Sequence, residues 1–243
     1  MKPFDVVKAL GPIDVKGVRR DPMLRWLIFY PLFIAGFVRW GTPILSAHLA
    51  IRFQIDAEAY YPLLVSFVVL MAPMLAGTIV GFLLLDQRDD QTLIALRVTP
   101  LTLRGYFIYR ISIPTALSVI VTVFVVPVTG LLQLDVFTLL STALGSCLLA
   151  PVYALFLGAL ASNKVQGFAL AKAAGVLLVP PLFAYFVQPP TQLIFGIDPL
   201  FWPAKYLWMA EANTTGAWLY LSAGVVFQCA LLWLLLRRMD RTS

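Results

Sequence analysis

Residues able to do nucleophilic, acid–base or metal chemistry are sparse in this chain of 243 residues. His48 is the single histidine, so no paired imidazole ligands exist, and neither HExxH, GxSxG, CxxC nor the phosphate loop GxxxxGK(S/T) occurs. Cys147 and Cys229 both fall in apolar stretches, where a thiol packs as a small hydrophobe out of reach of oxidising catalysts. One constellation stands out. Asp86, Asp89 and Asp90 form a DxxDD cluster that opens the stretch DQRDDQTLIALRVTPLTLR, residues 86–104.

Two chemistries fit those carboxylates. They are able to hold Mg²⁺ for a diphosphate substrate, as in membrane prenyltransferases, but such sites need a second acidic cluster, and the other short polar loop, 162–167, has no acid. Alternatively, Asp89 or Asp90 caps a helix start by accepting orphan backbone N–H groups at its positive dipole end. Thr99 precedes Pro100, which drives it out of the αR region and closes that helix. The spacing predicts a helix of about ten residues, with Leu93 and Leu96 on one face and Arg97 near the C-terminal end.

The elements that must position this loop are set by composition. Apolar residues make up 60% of the chain and charged ones 12%, and the mean hydropathy is +0.88. Water is therefore not the main solvent. Crossing a hydrocarbon core takes about 20 apolar residues in a helix, and six such stretches occur, near 24–46, 61–85, 105–132, 136–161, 168–187 and 217–236. These stretches are apolar on every face, without the alternation of a transmembrane barrel, so the fold class is all-α: a polytopic membrane protein forming a single transmembrane domain over 1–243. Residues 1–23 mix Phe4, Val7, Leu10, Ile13 and Val18 with Lys8, Lys16, Arg19 and Arg20 around Gly11 and Pro12. They read as a broken amphipathic elbow on the membrane surface, or as a disordered basic tail. Pro22, after Asp21, suits the first turn of the first span.

Sidedness follows from the basic residues. Fifteen of the 18 Lys and Arg fall in inner segments, Arg52 and Lys205 fall outside, and Arg39 lies in the first span. Both termini are thus expected in the cytoplasm, with 237–243 as a tail and the chain in the inner (plasma) membrane. The positive balance reads as topology and contact with anionic lipid, and not as nucleic-acid binding. Arg39, about 20 Å above Trp26 along a helix, is expected to snorkel to the outer interface beside Trp40. Small residues in the fourth span (Gly145, Ser146, Ala150, Gly158, Ala161) and the fifth (Ala169, Ala171, Ala173, Ala174, Gly175) favour close helix approach. Pro180 and Pro181 must break or kink the fifth span. Residues 188–218 are too Pro-rich to cross yet dense in aromatics, which fits short re-entrant helices or a loop with interfacial anchors.

The order of these parts resembles an ABC type-2 transporter permease: an N-terminal elbow, six spans, the inner loop DQRDDQTLIALRVTPLTLRGYFIYR and an aromatic outer segment with short helices between spans five and six. The likeness rests on Asp86, Arg88, Asp89 and Asp90 as the charged run, on Thr92 with Leu93, and on Pro100 with Leu101; Gln91 stands where that family often has a small residue. The runs VRRDPMLRWL and DPLFWPAKYLW extend it over most of the chain, and SNKVQGFALAK and PPLFAYF resemble permeases described as drug or fluoroquinolone exporters.

This resemblance implies a membrane subunit without nucleotide-binding motifs of its own, hence no enzyme, working as a homo- or heterodimer with a separate ATP-binding cassette subunit that carries ATP and Mg. The loop would be the coupling helix, with Arg88, Asp89, Asp90, Thr92, Leu93, Leu96, Arg97 and Pro100 docking on the ATPase. Phe201, Trp202, Tyr206 and Trp208 would form a candidate outer gate. The pathway carries few fixed charges, which suits a hydrophobic or amphipathic cargo. A secondary transporter acting alone is the other class that this sequence admits.

Overall fold

The computed structural model describes residues 3–89 and 103–242, with side chains for 10–87 and 108–238. Six helices among them are long and apolar enough to cross a membrane: Pro22–Phe53, Glu58–Gln87, Ile108–Thr129, Val136–Leu160, Lys164–Phe186 and Ala217–Arg238. In lipid a helix satisfies its own backbone, which is why the apolar stretches take this form.

The first helix, α1 (Pro3–Arg20), runs through Gly11 and Pro12 without the break that those residues predict. Leu10 and Asp14 are buried on either side of Pro12, and these tertiary contacts hold a segment whose local signals favour interruption. Asp21 then caps α2 (Pro22–Phe53), its Oδ1 accepting the N–H groups of Met23 at 2.9 Å and Leu24 at 3.4 Å, with Pro22 in the first turn. The first span outruns its predicted end at Ser46 and closes on Gln54 in the left-handed conformation, φ 54°. The second span, α3 (Tyr61–Asp89), likewise carries helix past Leu85 into the charged run. After residues 90–102, α4 (Leu103–Thr129) forms the third span.

The fourth span is two helices, α5 (Val136–Ser146) and α6 (Leu149–Leu160), parted at Cys147 and Leu148. Pro151 accounts for the break, since it donates no N–H and its ring crowds the carbonyl of residue 147. Asp135 caps α5 through Phe137 N–H at 3.0 Å and Thr138 N–H at 3.1 Å. The Thr138 side chain first, then the Thr138 and Phe137 amides, hold its exposed carboxyl below the usual range. The fifth span is interrupted as predicted: α7 (Lys164–Ala174) passes through a 3-10 stretch, Gly175–Leu178, into α8 (Val179–Phe186), which begins at the two prolines. Thr191–Ile197 is a 3-10 segment, α9 (Phe201–Glu211) a short helix, and α10 (Ala217–Thr242) the last span.

The second and fourth spans form the centre, 72% and 67% buried, whereas the first is 11% buried. Their contact depends on Gly77 and Gly81, one turn apart on α3. A Cβ at Gly77 would lie 2.4 Å from the Ala150 carbonyl oxygen of α6, and one at Gly81 would lie 2.8 Å from the Leu157 side chain. Of the small residues expected to mediate close approach, Gly145, Ser146, Ala150 and Ala161 of the fourth span and Ala174 of the fifth are buried, while Gly158, Ala171 and Gly175 are half-buried. Ala169 and Ala173 of the fifth span are exposed. α9 settles between re-entrant helix and surface loop. Its residues Phe201 and Pro203 to Trp208 are buried, and it packs on α3, α5 and α10, so it is a short helix folded back among the spans.

Candidate functional site

Two charge clusters sit near the ends of α3 and α4 that flank residues 90–102, one built on Asp14 and the other on Lys164. Asp14 lies on α1 in the row Leu10, Asp14, Val18, where helix periodicity places it among apolar neighbours. An acid there needs a partner, and Arg110 of α4 supplies one, with Nη1 donating to Oδ2 at 3.0 Å and Nη2 to Oδ1 at 3.3 Å. Tyr109 Oη donates to Oδ2 at 2.8 Å and Gln87 Nε2 of α3 to Oδ1 at 3.3 Å. All three side chains are buried with Asp14. The carboxylate thus ties α1 to the helix that enters the loop and to the helix that leaves it.

The second cluster is half-exposed. Lys164 Nζ, at the start of α7, donates to Asp21 Oδ2 at 2.7 Å, and lies 2.9 Å from Asp86 Oδ1 and 3.1 Å from Asp86 Oδ2. Asp21 divides its oxygens, Oδ1 capping α2 and Oδ2 meeting Lys164. Burial works against its ionisation, but the Lys164 hydrogen bond, the Met23 and Leu24 amides and the Lys164 charge outweigh it and hold the carboxyl below its ordinary range. Asn163 positions the lysine by capping α7 on Gln166 N–H at 3.0 Å, while Gln166 Oε1 accepts the Ser162 N–H at 2.9 Å. One ammonium group therefore joins the start of the first span, the end of the second and the start of the fifth. Asp86, the first acid of the DxxDD run, turns both oxygens to that ammonium.

Of the residues expected to dock, Arg88 and Asp89 close α3, with side chains outside the described set, and Asp90, Thr92, Leu93, Leu96, Arg97 and Pro100 lie outside the described residues. The candidate gate residues come together on α9. Phe201, Tyr206 and Trp208 are buried and Trp202 is half-buried. Tyr206 Oη shares a hydrogen bond with Ser141 Oγ of α5, Trp202 Nε1 donates to Gly196 O at 2.9 Å, and Trp208 meets Tyr185 edge-on at 4.9 Å. Arg39 reaches the end of α4, where Nη1 donates to Val128 O at 3.3 Å beside Gly130, whose φ is +64°. Its cation meets the negative end of that helix dipole.

Sequence reasoning used Arg110 and Lys164 only for topology and passed over Asp14, Gln87 and Tyr109. The usable signal was an acid in the apolar row of an amphipathic helix, which demands a buried cation elsewhere.

With this geometry in place, the comparisons are specific. Residues 14–236 match a family model described as "Fluoroquinolones export permease protein Rv2686c-like". Two relatives from Mycobacterium tuberculosis, fluoroquinolones export permease protein Rv2686c of strain H37Rv and MT2760 of strain CDC 1551, are each 36% identical over 233 residues, covering 95% of this chain and 92% of theirs. No solved structure matches. With six apolar helices and a family match over most of its length, the chain is a multi-pass membrane protein of the Rv2686c-like fluoroquinolone export permease family.

Proposed function

We propose that this permease is the membrane subunit of an ATP-driven exporter, working as a dimer with an identical or related permease and with two separate ATP-binding cassette subunits that hold ATP and Mg. Its termini and inner loop face the cytoplasm across the inner (plasma) membrane. The supporting observation is the double clamp on the loop roots: Asp14 with Arg110, and Lys164 with Asp21 and Asp86. A push on residues 90–102 is passed to α1, α2, α3, α4 and α7 together, because the clamps leave the roots little freedom to move singly. Leu93 and Leu96 pack on the ATPase, Asp89 and Asp90 cap the docking helix, and Arg88 and Arg97 make flanking ion pairs. The cargo is a hydrophobic or amphipathic drug, with the fluoroquinolones named for the relatives as the first class to test.

Leu93→Asp or Leu96→Asp is expected to abolish co-purification of the ATPase while the permease still reaches the membrane, measured by affinity pull-down from solubilised membranes. Retained complex together with retained drug efflux would overturn the docking role. Gradient-driven drug uptake by the purified chain alone in vesicles would instead establish a secondary transporter.

A further inference from the structure

The charges of residues 14–25 are segregated. Both acids turn inward and are neutralised, Asp14 by Arg110 and Asp21 by Lys164. The bases Lys16, Arg19, Arg20 and Arg25 are exposed and have no ion-pair partner among the described residues. An uncompensated cationic surface remains where α1 meets α2. Directly beyond it an open cleft runs along α2, lined by Pro22, Arg25, Trp26 and Phe29. These four recur at helical spacing and form one face, and both aromatics are largely exposed. Arg25 stands at the head of the cleft, while Trp26 and Phe29 belong to the span itself.

We propose that this end of α2 holds one anionic phospholipid, its phosphate on Arg25 and the basic end of α1, its acyl chains along Trp26 and Phe29. The occupant must be acidic at one end and apolar at the other. A soluble acidic protein surface would meet Arg19, Arg20 and Arg25 but would leave the aromatic floor, which belongs to the apolar first span, uncovered. A zwitterionic lipid would fill the floor and leave the cations uncompensated. Basic side chains next to a span attract anionic lipid, an arginine pairs with phosphate through two parallel N–H bonds, and aromatic rings favour the headgroup boundary. The proposal is independent of ATP coupling and of the cargo.

The test is native mass spectrometry of the full chain in detergent, titrated with dioleoylphosphatidylglycerol or dioleoylphosphatidylcholine. Wild type is expected to retain one phosphatidylglycerol in preference to phosphatidylcholine. Arg25→Gln should weaken that binding about fivefold, the factor for one basic residue at an anionic surface, and Arg25→Lys should keep most of it. A combined change of Arg19, Arg20 and Arg25 to Gln should abolish the preference. Arg237→Gln, whose guanidinium lies 3.7 Å over the Trp233 ring at the far end of α10, should change nothing; size-exclusion profiles of all variants report folding. Equal retention of the two lipids, or equal effects of Arg25→Gln and Arg237→Gln, would overturn the site. So would a triple variant that keeps its lipid preference and loses only a protein partner.

Discussion

Asp14 and Asp198 show two ways in which a buried acid is managed in this protein. Asp14 is held by Arg110, Tyr109 and Gln87, so removing its charge leaves the Arg110 guanidinium buried beside a neutral amide. Asp14→Asn is expected to cost about 3–5 kcal/mol, read as a lower unfolding temperature in detergent. Asp14→Leu combined with Arg110→Met should recover most of the loss, because it removes both charges. Asp198, in the segment before α9, has a different fate. Its Oδ1 accepts the Leu200 N–H at 2.9 Å, but its Oδ2 is buried without a partner. Burial pushes its carboxyl up to about 6 against the one favourable amide bond. The folded chain therefore binds a proton that the unfolded chain has lost once pH passes the ordinary value of 3.8. The stabilisation is fully present below that value and disappears as pH rises through about 6. Hydrogen exchange over residues 191–211 should be slower at pH 5 than at pH 7.5, and Asp198→Asn should remove the difference. Exchange that stays pH-dependent, after correction for intrinsic rates, would show that another group controls the segment.

At the scale of elements, the contact of α3 with α6 depends on glycine backbone reaching the Ala150 carbonyl and the Leu157 side chain without a Cβ between them. Gly77→Val has no room, since the first added carbon falls 2.4 Å from the Ala150 carbonyl oxygen. The expected loss is about 3 kcal/mol, measured as a fall in melting temperature together with faster proteolysis, whereas Gly175→Ala, where nothing lies within 4 Å, should be neutral or stabilising. Six spans, the interruption at Pro180 and the start of the first span at Pro22 were legible because apolar length and missing N–H donors act locally. The split at Cys147 escaped notice because Pro151 was not weighed, although the same rule that applied to Pro180 covers it. The pairing of Gly77 with Ala150 was not legible. A small residue announces that something comes close, and only the fold says what.

For the whole molecule, the charged run that opens at Asp86 was legible in the sequence, but the clamps beside it were not. Arg110 and Lys164 have the same sequence signature as every other basic residue beside a span, and their partners lie 96 and 143 positions away in the chain. Which cations are structural and which face outward is decided by packing. The layered burial of the spans carries one more consequence, for biogenesis. The first span leaves the ribosome before the other five and in the finished protein is covered little by them, since only 11% of its window is buried. The second becomes the most enclosed, yet its counterpart α6 begins only at Leu149, after the whole third span has been made. It must lodge in lipid meanwhile, and its mean hydropathy of 2.4, the highest of the six, suits that wait. Insertion therefore precedes assembly, and the core closes when the fourth span arrives and meets a helix already in place.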